Sequence, residues 1–486
     1  MLKFDKNENY NSNYNDMLKD YLDMDINKLN SLYEESLNNI QKEAFNKFKS
    51  GKNLSIIGYS GTGKSYLIKT INSYIKSEGN KRIYLTSTTG ISAYNIGGMT
   101  INSFMGIGTG EGDLGMLIKK VFRNKSICDR IYYTDILIID EISMMSAALF
   151  EKIDLICQRI KRNKKFFGGI QLIITGDFLQ LLPVFNNNGI YKEVDERLII
   201  ESEVFLKNFT NDNTVFLNEN VRQKDDKTFT DLLLKIRYNN VNDDDIKLLR
   251  SRMNLKTDDS KGVLVTLVSS NKKAQGINEA NLEKIKEKAY VFDADFDTMG
   301  SSEDVKKMLL TELKNQFTQK NIHKVILKKG IHVMLIKNLD VEIGLVNGLL
   351  GTVVGFVGGL PEVEFNNKIK KVIGYTQWEL EMDNCKVTAN QLPLMLSYAL
   401  TIHKTQSITL DAAMLDLADC FCEHQVYVAL SRLRNLDGVY LKSFNPKKIM
   451  INQKMANYLK DSTASSEAAQ PVASTSVPVN KRGVSH

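Results

Sequence analysis

Proline and cysteine are scarce in this 486-residue chain, at six and five, with five histidines and a single tryptophan. The cysteines (Cys128, Cys157, Cys385, Cys420 and Cys422) are scattered and odd in number. Cys420 and Cys422 form a lone C-x-C without a second pair, so the spacing supports neither a zinc site nor a disulfide framework. Such usage belongs to a reducing, intracellular compartment. Long apolar runs are missing too. None approaches the ~18 uncharged residues that a membrane-spanning helix needs. The N-terminus has neither the apolar stretch of a secretory signal nor the Arg/Ser bias of a mitochondrial presequence, and no membrane partner is expected. No short-period repeat is visible. The shortage of proline beside abundant Asn and Lys fits an AT-rich genome.

What is present is globular. Hydrophobic residues make up 43% and charged residues 25%, which excludes wholesale disorder and a fibrous fold. The length suits roughly two to four domains. The net charge of +7 is too weak to name a partner, but it is unevenly placed. Residues 1–36 hold four lysines against eight acidic residues, which leaves the rest of the chain at +11. An acidic, weakly ordered leader precedes a more basic body.

From residue 37 onward, apolar runs bounded by Gly and polar clusters alternate with helical periodicity. Strands are expected at 54–57, 82–86, 136–139 and 172–175, and helices at 37–48, 64–76 and 146–162. Such alternation makes βαβ units and a parallel sheet with helices on both faces, an α/β fold. A second stretch of this kind begins near Val215 and resumes at 392–441. Residues 285–380 read as a small β-rich insertion, with short runs at 325–327, 333–336, 351–356 and 363–365. Beyond Tyr458 the sequence turns small and polar and is expected to be disordered.

The chemistry begins at Gly58-Tyr-Ser60-Gly61-Thr62-Gly63-Lys64-Ser65, a G-x-x-x-x-G-K-S loop between a strand and a helix. Its glycines let successive N–H groups turn inward onto phosphate oxygens, at a helix N-terminus that favours anions. Lys64 is placed for the β and γ phosphates of ATP, and the Ser65 hydroxyl for Mg²⁺. Downstream, 135–139 ends in Asp140 and Glu141: Asp140 can reach the metal and Glu141 can polarise an attacking water. A third strand ends in Thr175-Gly176-Asp177-Phe178-Leu179-Gln180, where an amide can sense a γ-phosphate.

This array resembles superfamily-one helicases, and within them the PIF (petite integration frequency) family of 5′-to-3′ DNA helicases, over about residues 36–445. The most specific stretch runs from Glu141-Ile-Ser-Met-Met-Ser through CQRIKRNKKFFGGIQLIITGDFLQLLPV. Further matches are 97–104, Asn220-Val-Arg222-Gln223, Leu345-Val-Asn347-Gly348, His403-Lys404-Thr405-Gln406 and Gln425-Val-Tyr-Val-Ala-Leu-Ser431-Arg432. The phage Dda helicases and RecD share the scaffold but are less similar through the signature.

The resemblance implies two RecA-like P-loop NTPase cores with ATP and Mg²⁺ between them. The first would span 37–214, with a duplex-splitting wedge at about 105–125. The second would combine 215–284 with 381–456, interrupted by an SH3-like subdomain at 285–380 and followed by a tail at 457–486. Gln41 would read the adenine edge, and Arg222 and Arg432 would reach the γ-phosphate when the cleft closes. Thr88, Asn102, Ser103, Phe104, His403 and Thr405 would hold single-stranded DNA. Basic clusters at Lys119, Lys120, Arg123, Lys125 and Arg130, and at Lys161, Arg162, Lys164 and Lys165, would add phosphate contacts. Phosphate and stacking contacts leave RNA open beside DNA.

The departures are few. Leu182-Pro183 stands where consecutive prolines are usual, Asn102 where a His is usual, and Ser407 where a Gly is common. None touches Lys64, Asp140, Glu141 or the two arginines. The resemblance therefore implies an active, DNA-stimulated ATPase: a monomeric 5′-to-3′ helicase acting on single-stranded and tailed duplex DNA in replication, repair, recombination or genome maintenance. It would work in the nucleus or cytoplasm, a viral replication site included, with replication or single-strand-binding proteins as partners. Two alternatives stand beside it: a RecD-like translocase subunit of a nuclease complex, and a non-catalytic strand-binding protein switched by nucleotide.

Overall fold

The computed structural model describes residues 34–468 apart from 109, 111, 184–194, 254, 257–263, 341–342, 346, 383–384 and 407. Most of the expected leader, the end of the tail and Ser407 therefore lie outside the described residues. Among the described residues no helix is long and apolar enough to cross a membrane.

The first core is built on a six-stranded sheet of β1 (Leu54–Gly58), β2 (Ile83–Ser87), β3 (Met99–Thr100), β4 (Ile136–Asp140), β5 (Gln171–Gly176) and β6 (Thr214–Leu217). Their order is β3-β2-β4-β5-β1-β6, and every pairing is parallel. β1 and β4 are buried along their whole length, as strands covered on both faces must be, which explains their unbroken apolar runs. Helices Asn39–Lys49, Lys64–Glu78 and Ala147–Lys161 supply part of that cover. The order sets β1, β4 and β5 side by side, so the phosphate loop, Asp140-Glu141 and Asp177 leave the same edge of the sheet. In open α/β sheets ligands bind at that carboxyl edge.

The second core has a four-stranded parallel sheet ordered Ala399–Thr401, Val265–Val268, Ala413–Asp416, Val439–Ser443. Between its first two segments lies the insertion. Five antiparallel strands there are ordered Lys370–Val372, Leu360–Phe365, Leu350–Val357, His332–Leu335, Leu394–Leu396, beside a three-stranded and a two-stranded sheet.

Two expected borders and two expected segment characters are corrected. The 214/215 border fails because Thr214–Leu217 pairs with β1 and is the edge strand of the first sheet. The border at 380/381 cuts a hairpin: Thr376–Met382 pairs with Cys385–Gln391, and Leu394–Leu396 pairs back onto His332–Leu335. The chain rejoins the second core only at Ala399. The insertion expected to be β-rich also holds an 18-residue helix, Glu303–Lys320. Finally, the tail expected to be disordered from 457 begins as helix Gln453–Ala468. Its Tyr458 ring packs edge-on against Phe178 of the first core at 5.5 Å, with Met455 and Leu459 buried beside it. Three apolar anchors there outweigh a small, polar composition.

Candidate functional site

At the carboxyl edge of the first sheet, Gly61 (φ +89°) and Gly63 (φ +84°) adopt the left-handed backbone that a side chain resists. Gly63 then caps the N-terminus of helix Lys64–Glu78. The Lys64 ammonium donates to the carbonyls of Gly58 (2.7 Å) and Tyr59 (3.1 Å), its own loop, and burial lowers its pKa. Ser65 is exposed on the cleft floor. Gln41 is buried behind the loop. Its Oε1 accepts the Asn38 N–H in a reciprocal cap and its Nε2 donates to the Thr62 carbonyl at 3.5 Å, so this amide braces the loop.

Asp140 ends β4, 3% exposed, with the Thr175 hydroxyl bonded to its carboxylate; burial raises its pKa. Glu141 follows with φ +54°, a left-handed backbone in a residue with a Cβ. That turn re-aims the carboxylate at the strand end. Burial, and then the neighbouring Asp140 charge, push Glu141 up to about 7. Gln180 is buried, and its Nε2 donates to Asp177 Oδ2 at 3.2 Å.

The second half of the site comes from across the cleft. Arg432, 1% exposed, donates to the Ser60 hydroxyl at 2.8 Å. Arg222 donates to the same oxygen at 2.7 Å and to the Ser431 carbonyl at 2.7 Å. Burial, and then Arg432, lower Arg222 to about 9. Ser60, Thr62, Gly63, Lys64, Ser65, Asp140, Glu141, Gln180, Arg222 and Arg432 thus line one cleft of about 390 Å³. Of the residues expected at the nucleotide, Gly61 also lines this cleft, whereas Gly58 and Gln41 do not.

Three residues that the sequence reading left out tie the halves. Asp177 forms an ion pair with Arg237 at 2.6 Å, and both are buried. Burial pushes the Asp177 carboxyl up, but Arg237, Lys64 and the Leu179 N–H together outweigh it and the pKa falls below its ordinary 3.8. The Tyr427 hydroxyl accepts the Ser60 N–H at 3.3 Å and donates to Asp177 at 3.5 Å. Asp177 and Tyr427 lay inside quoted motifs. Arg237 carried no local signal, because its partner is 60 positions away.

The expected strand residues fare less well. A groove of about 930 Å³ runs beside the cleft, lined by Thr89 and Met144 from the first core, Ser269, Asn271 and His403 from the second, and Lys324 from the insertion. His403 is there. Phe104 is not: it is fully buried, with the Arg130 guanidinium over its ring at 5.1 Å and Tyr84 at 5.2 Å. Arg130 is itself buried and donates to the Ser103 carbonyl at 3.2 Å, so it leaves the exposed basic cluster. The Ser103 hydroxyl bonds Glu312 of the insertion helix, which also accepts from Thr100 at 3.3 Å. Thr405 is buried with its hydroxyl on the Ile402 carbonyl at 2.8 Å. Asn102 is half-buried outside the groove lining. Phe421, 61% exposed, lines the groove and was not expected there.

Cleft and groove share short segments. The Thr88 hydroxyl donates to the Glu141 carbonyl at 2.9 Å, and Thr89 lines the groove. His403 lines the groove, and two residues on the Thr405 carbonyl accepts from Arg432 at 3.5 Å.

Known proteins resemble this chain in sequence and fold. The model of the PIF1-like helicase family matches residues 34–247, and that of the 2B domain of DNA helicase Pif1 matches 312–356. The ATP-dependent DNA helicase PIF1 of Danio rerio is 36% identical over 440 residues, covering 88% of this chain and 64% of its own length. This chain spans about three-fifths of the length of the curated PIF1 relatives it matches first. The crystal structure of Pif1 helicase from Candida albicans is 32% identical, with a TM-score of 0.68 over 87% of this chain and 99% of that one. Bacteroides Pif1 bound to single-stranded DNA is 25% identical, with a TM-score of 0.59 over 89% and 98%. The chain belongs to the PIF1-like helicase family.

Proposed function

We propose that this chain is an ATP-dependent DNA helicase that moves 5′ to 3′ along single-stranded DNA and displaces the complementary strand. The observation that carries it is the composite cleft. Lys64, Glu141 and Gln180 from the first core face Arg222 and Arg432 across it, beside a groove that touches both cores. ATP bound on the phosphate loop would exchange the Lys64 contacts with its own carbonyls for phosphate oxygens. Glu141, with its carboxyl near neutrality, accepts the proton of the attacking water while Gln180 orients it. Arg222 and Arg432 stabilise the charge that spreads over the transferring phosphoryl group. The oxygen donors of Ser65 and Asp140 suit a hard cation, so these two would hold Mg²⁺, which supplies further charge neutralisation when bound.

Motion follows because the arginines engage only while the cores are closed, and Thr88–Thr89 and His403–Thr405 connect that closure to the groove. Single-stranded DNA would lie in the groove, with His403 and the exposed Phe421 ring meeting backbone and bases. Exposed Lys119, Lys120, Arg123 and Lys125 lie on and just after helix Leu114–Phe122, within and beside the segment expected to act as the wedge. The likeness to the Pif1 structure bound to single-stranded DNA supports this substrate, and the polarity rests on family membership. The chain would act as a monomer, with replication or single-strand-binding proteins as its partners.

The test is a partial duplex with one tail, made with DNA or RNA tails. A DNA duplex with only a 5′ tail should be unwound in ATP and Mg²⁺, and one with only a 3′ tail should not. The reverse outcome overturns the polarity, and no unwinding of either overturns the helicase reading.

A further inference from the structure

Ser60 occupies a position that the phosphate-loop pattern leaves free, between Gly58 and Gly61, so phosphate binding does not demand a hydroxyl there. Yet its side chain is where the second half of the site converges. The Ser60 oxygen accepts from both Arg222 at 2.7 Å and Arg432 at 2.8 Å, while its backbone N–H donates to Tyr427. The other hydrogen bonds of these guanidinium groups go to neutral oxygens: Arg222 to the Ser431 carbonyl, Arg432 to the Val428 and Thr405 carbonyls and the Ser431 hydroxyl. Two like charges brought onto one oxygen repel, so without an acceptor between them they would separate.

We infer that Ser60 is a positioning residue that parks both arginines on the first core when no nucleotide is bound. This role rests on the ATPase reading of the cleft and deepens it. The hydroxyl stands in for a γ-phosphate oxygen: it offers an acceptor at the same wall of the cleft, but as a neutral group it yields to the anion. The cores are then held near the closed arrangement before ATP arrives, and ATP takes over a pair of arginines already in place. With alanine at 60, closure must be driven by the nucleotide alone.

The experiment is amide hydrogen exchange on the full chain and its Ser60→Ala and Ser60→Thr variants, without nucleotide and with ADP plus aluminium fluoride. Two charge-assisted hydrogen bonds are at stake, so exchange of the peptides carrying Arg222 and Arg432 should rise about tenfold in nucleotide-free Ser60→Ala. Ser60→Thr keeps the hydroxyl and should retain the protection of the parent. Aluminium fluoride with ADP should bring all three together, and the KM for ATP of Ser60→Ala should rise by a larger factor than its kcat falls. Equal exchange in nucleotide-free parent and Ser60→Ala overturns the parking role, as does loss of protection in Ser60→Thr with an unchanged melting temperature. The nucleotide-free comparison needs no turnover. A chain that fails to hydrolyse ATP would sink the functional reading and leave this exchange result to be judged separately.

Discussion

The cleft proposed for nucleotide and the groove proposed for the strand lie side by side, yet they are specified in different ways. In the cleft each chemical group sits on a short local motif whose geometry is dictated by its neighbours: strand, glycine loop, helix; strand, two carboxylates. In the groove the lining comes from helix Asn271–Lys284, from strands and turns of the second core and the insertion, and from a few residues of the first core, and only some of them belong to a motif. The difference teaches that phosphate chemistry is written locally, whereas a surface for a flexible polymer is written by how domains come together. Phe104 and Phe421 make the contrast concrete. The first sits in a quoted motif and is core; the second was not singled out and is 61% exposed on the groove.

The largest effects are expected in the cleft. Lys64→Ala should lower strand-stimulated ATP hydrolysis by more than about a thousandfold, measured by steady-state phosphate release, while leaving the fold intact. Arg432→Lys keeps a charge but loses the planar fork that reaches Ser60 and the Thr405 carbonyl. It should cost about a hundredfold in kcat, and a full-rate enzyme would break the assignment of that arginine.

Between cleft and core lies the Asp177–Arg237 pair. Arg237→Met leaves the Asp177 carboxylate buried without its cation and should destabilise the protein by about 3–5 kcal/mol in denaturant unfolding. The pH dependence has a definite sign. Because the folded pKa of Asp177 lies below 3.8, its contribution is present above that value and is lost as pH falls through the folded one. A variant lacking Arg237 should therefore lose less stability than the parent on acidification.

The last pair of variants separates the two phenylalanines, and the smallest effect falls to Phe421. Phe104→Ala should cost about 3–5 kcal/mol of stability, as buried aromatic truncations do, with the affinity of the folded protein for single-stranded DNA nearly unchanged. Phe421→Ala should do the opposite. Its melting temperature should hold, while affinity for a single strand falls by roughly tenfold, the scale of one lost base-stacking contact of about 1–3 kcal/mol. Fluorescence anisotropy and thermal melting on the same samples decide it; equal losses of affinity in both variants would erase the distinction.

Much of the fold was legible because parallel strands buried on both faces leave unbroken apolar runs. The strands 54–57, 136–139 and 172–175 each fall inside an observed strand, to within a residue or two at the ends. Domain borders were not legible, since a border depends on which strand a segment pairs with. Thr214–Leu217 reads like the opening of a new domain, and only its register against β1 assigns it to the first. The same holds for Leu394–Leu396, which a β-rich sequence cannot allot to one sheet or another. Ser103 shows the same dependence on long-range partners. A hydroxyl in a helicase motif suggests a phosphate, but Glu312 more than 200 positions away takes it. Arg237 and Glu312 share this character, a long-range partner with no periodic trace.

The central claim is that strand binding in the groove drives chemistry in the cleft. The most direct measurement is steady-state ATP hydrolysis in Mg²⁺ with and without single-stranded DNA, for the parent chain and Lys64→Ala. The account predicts hydrolysis strongly stimulated by the strand in the parent and absent in the variant. Hydrolysis at one rate with and without the strand would contradict it.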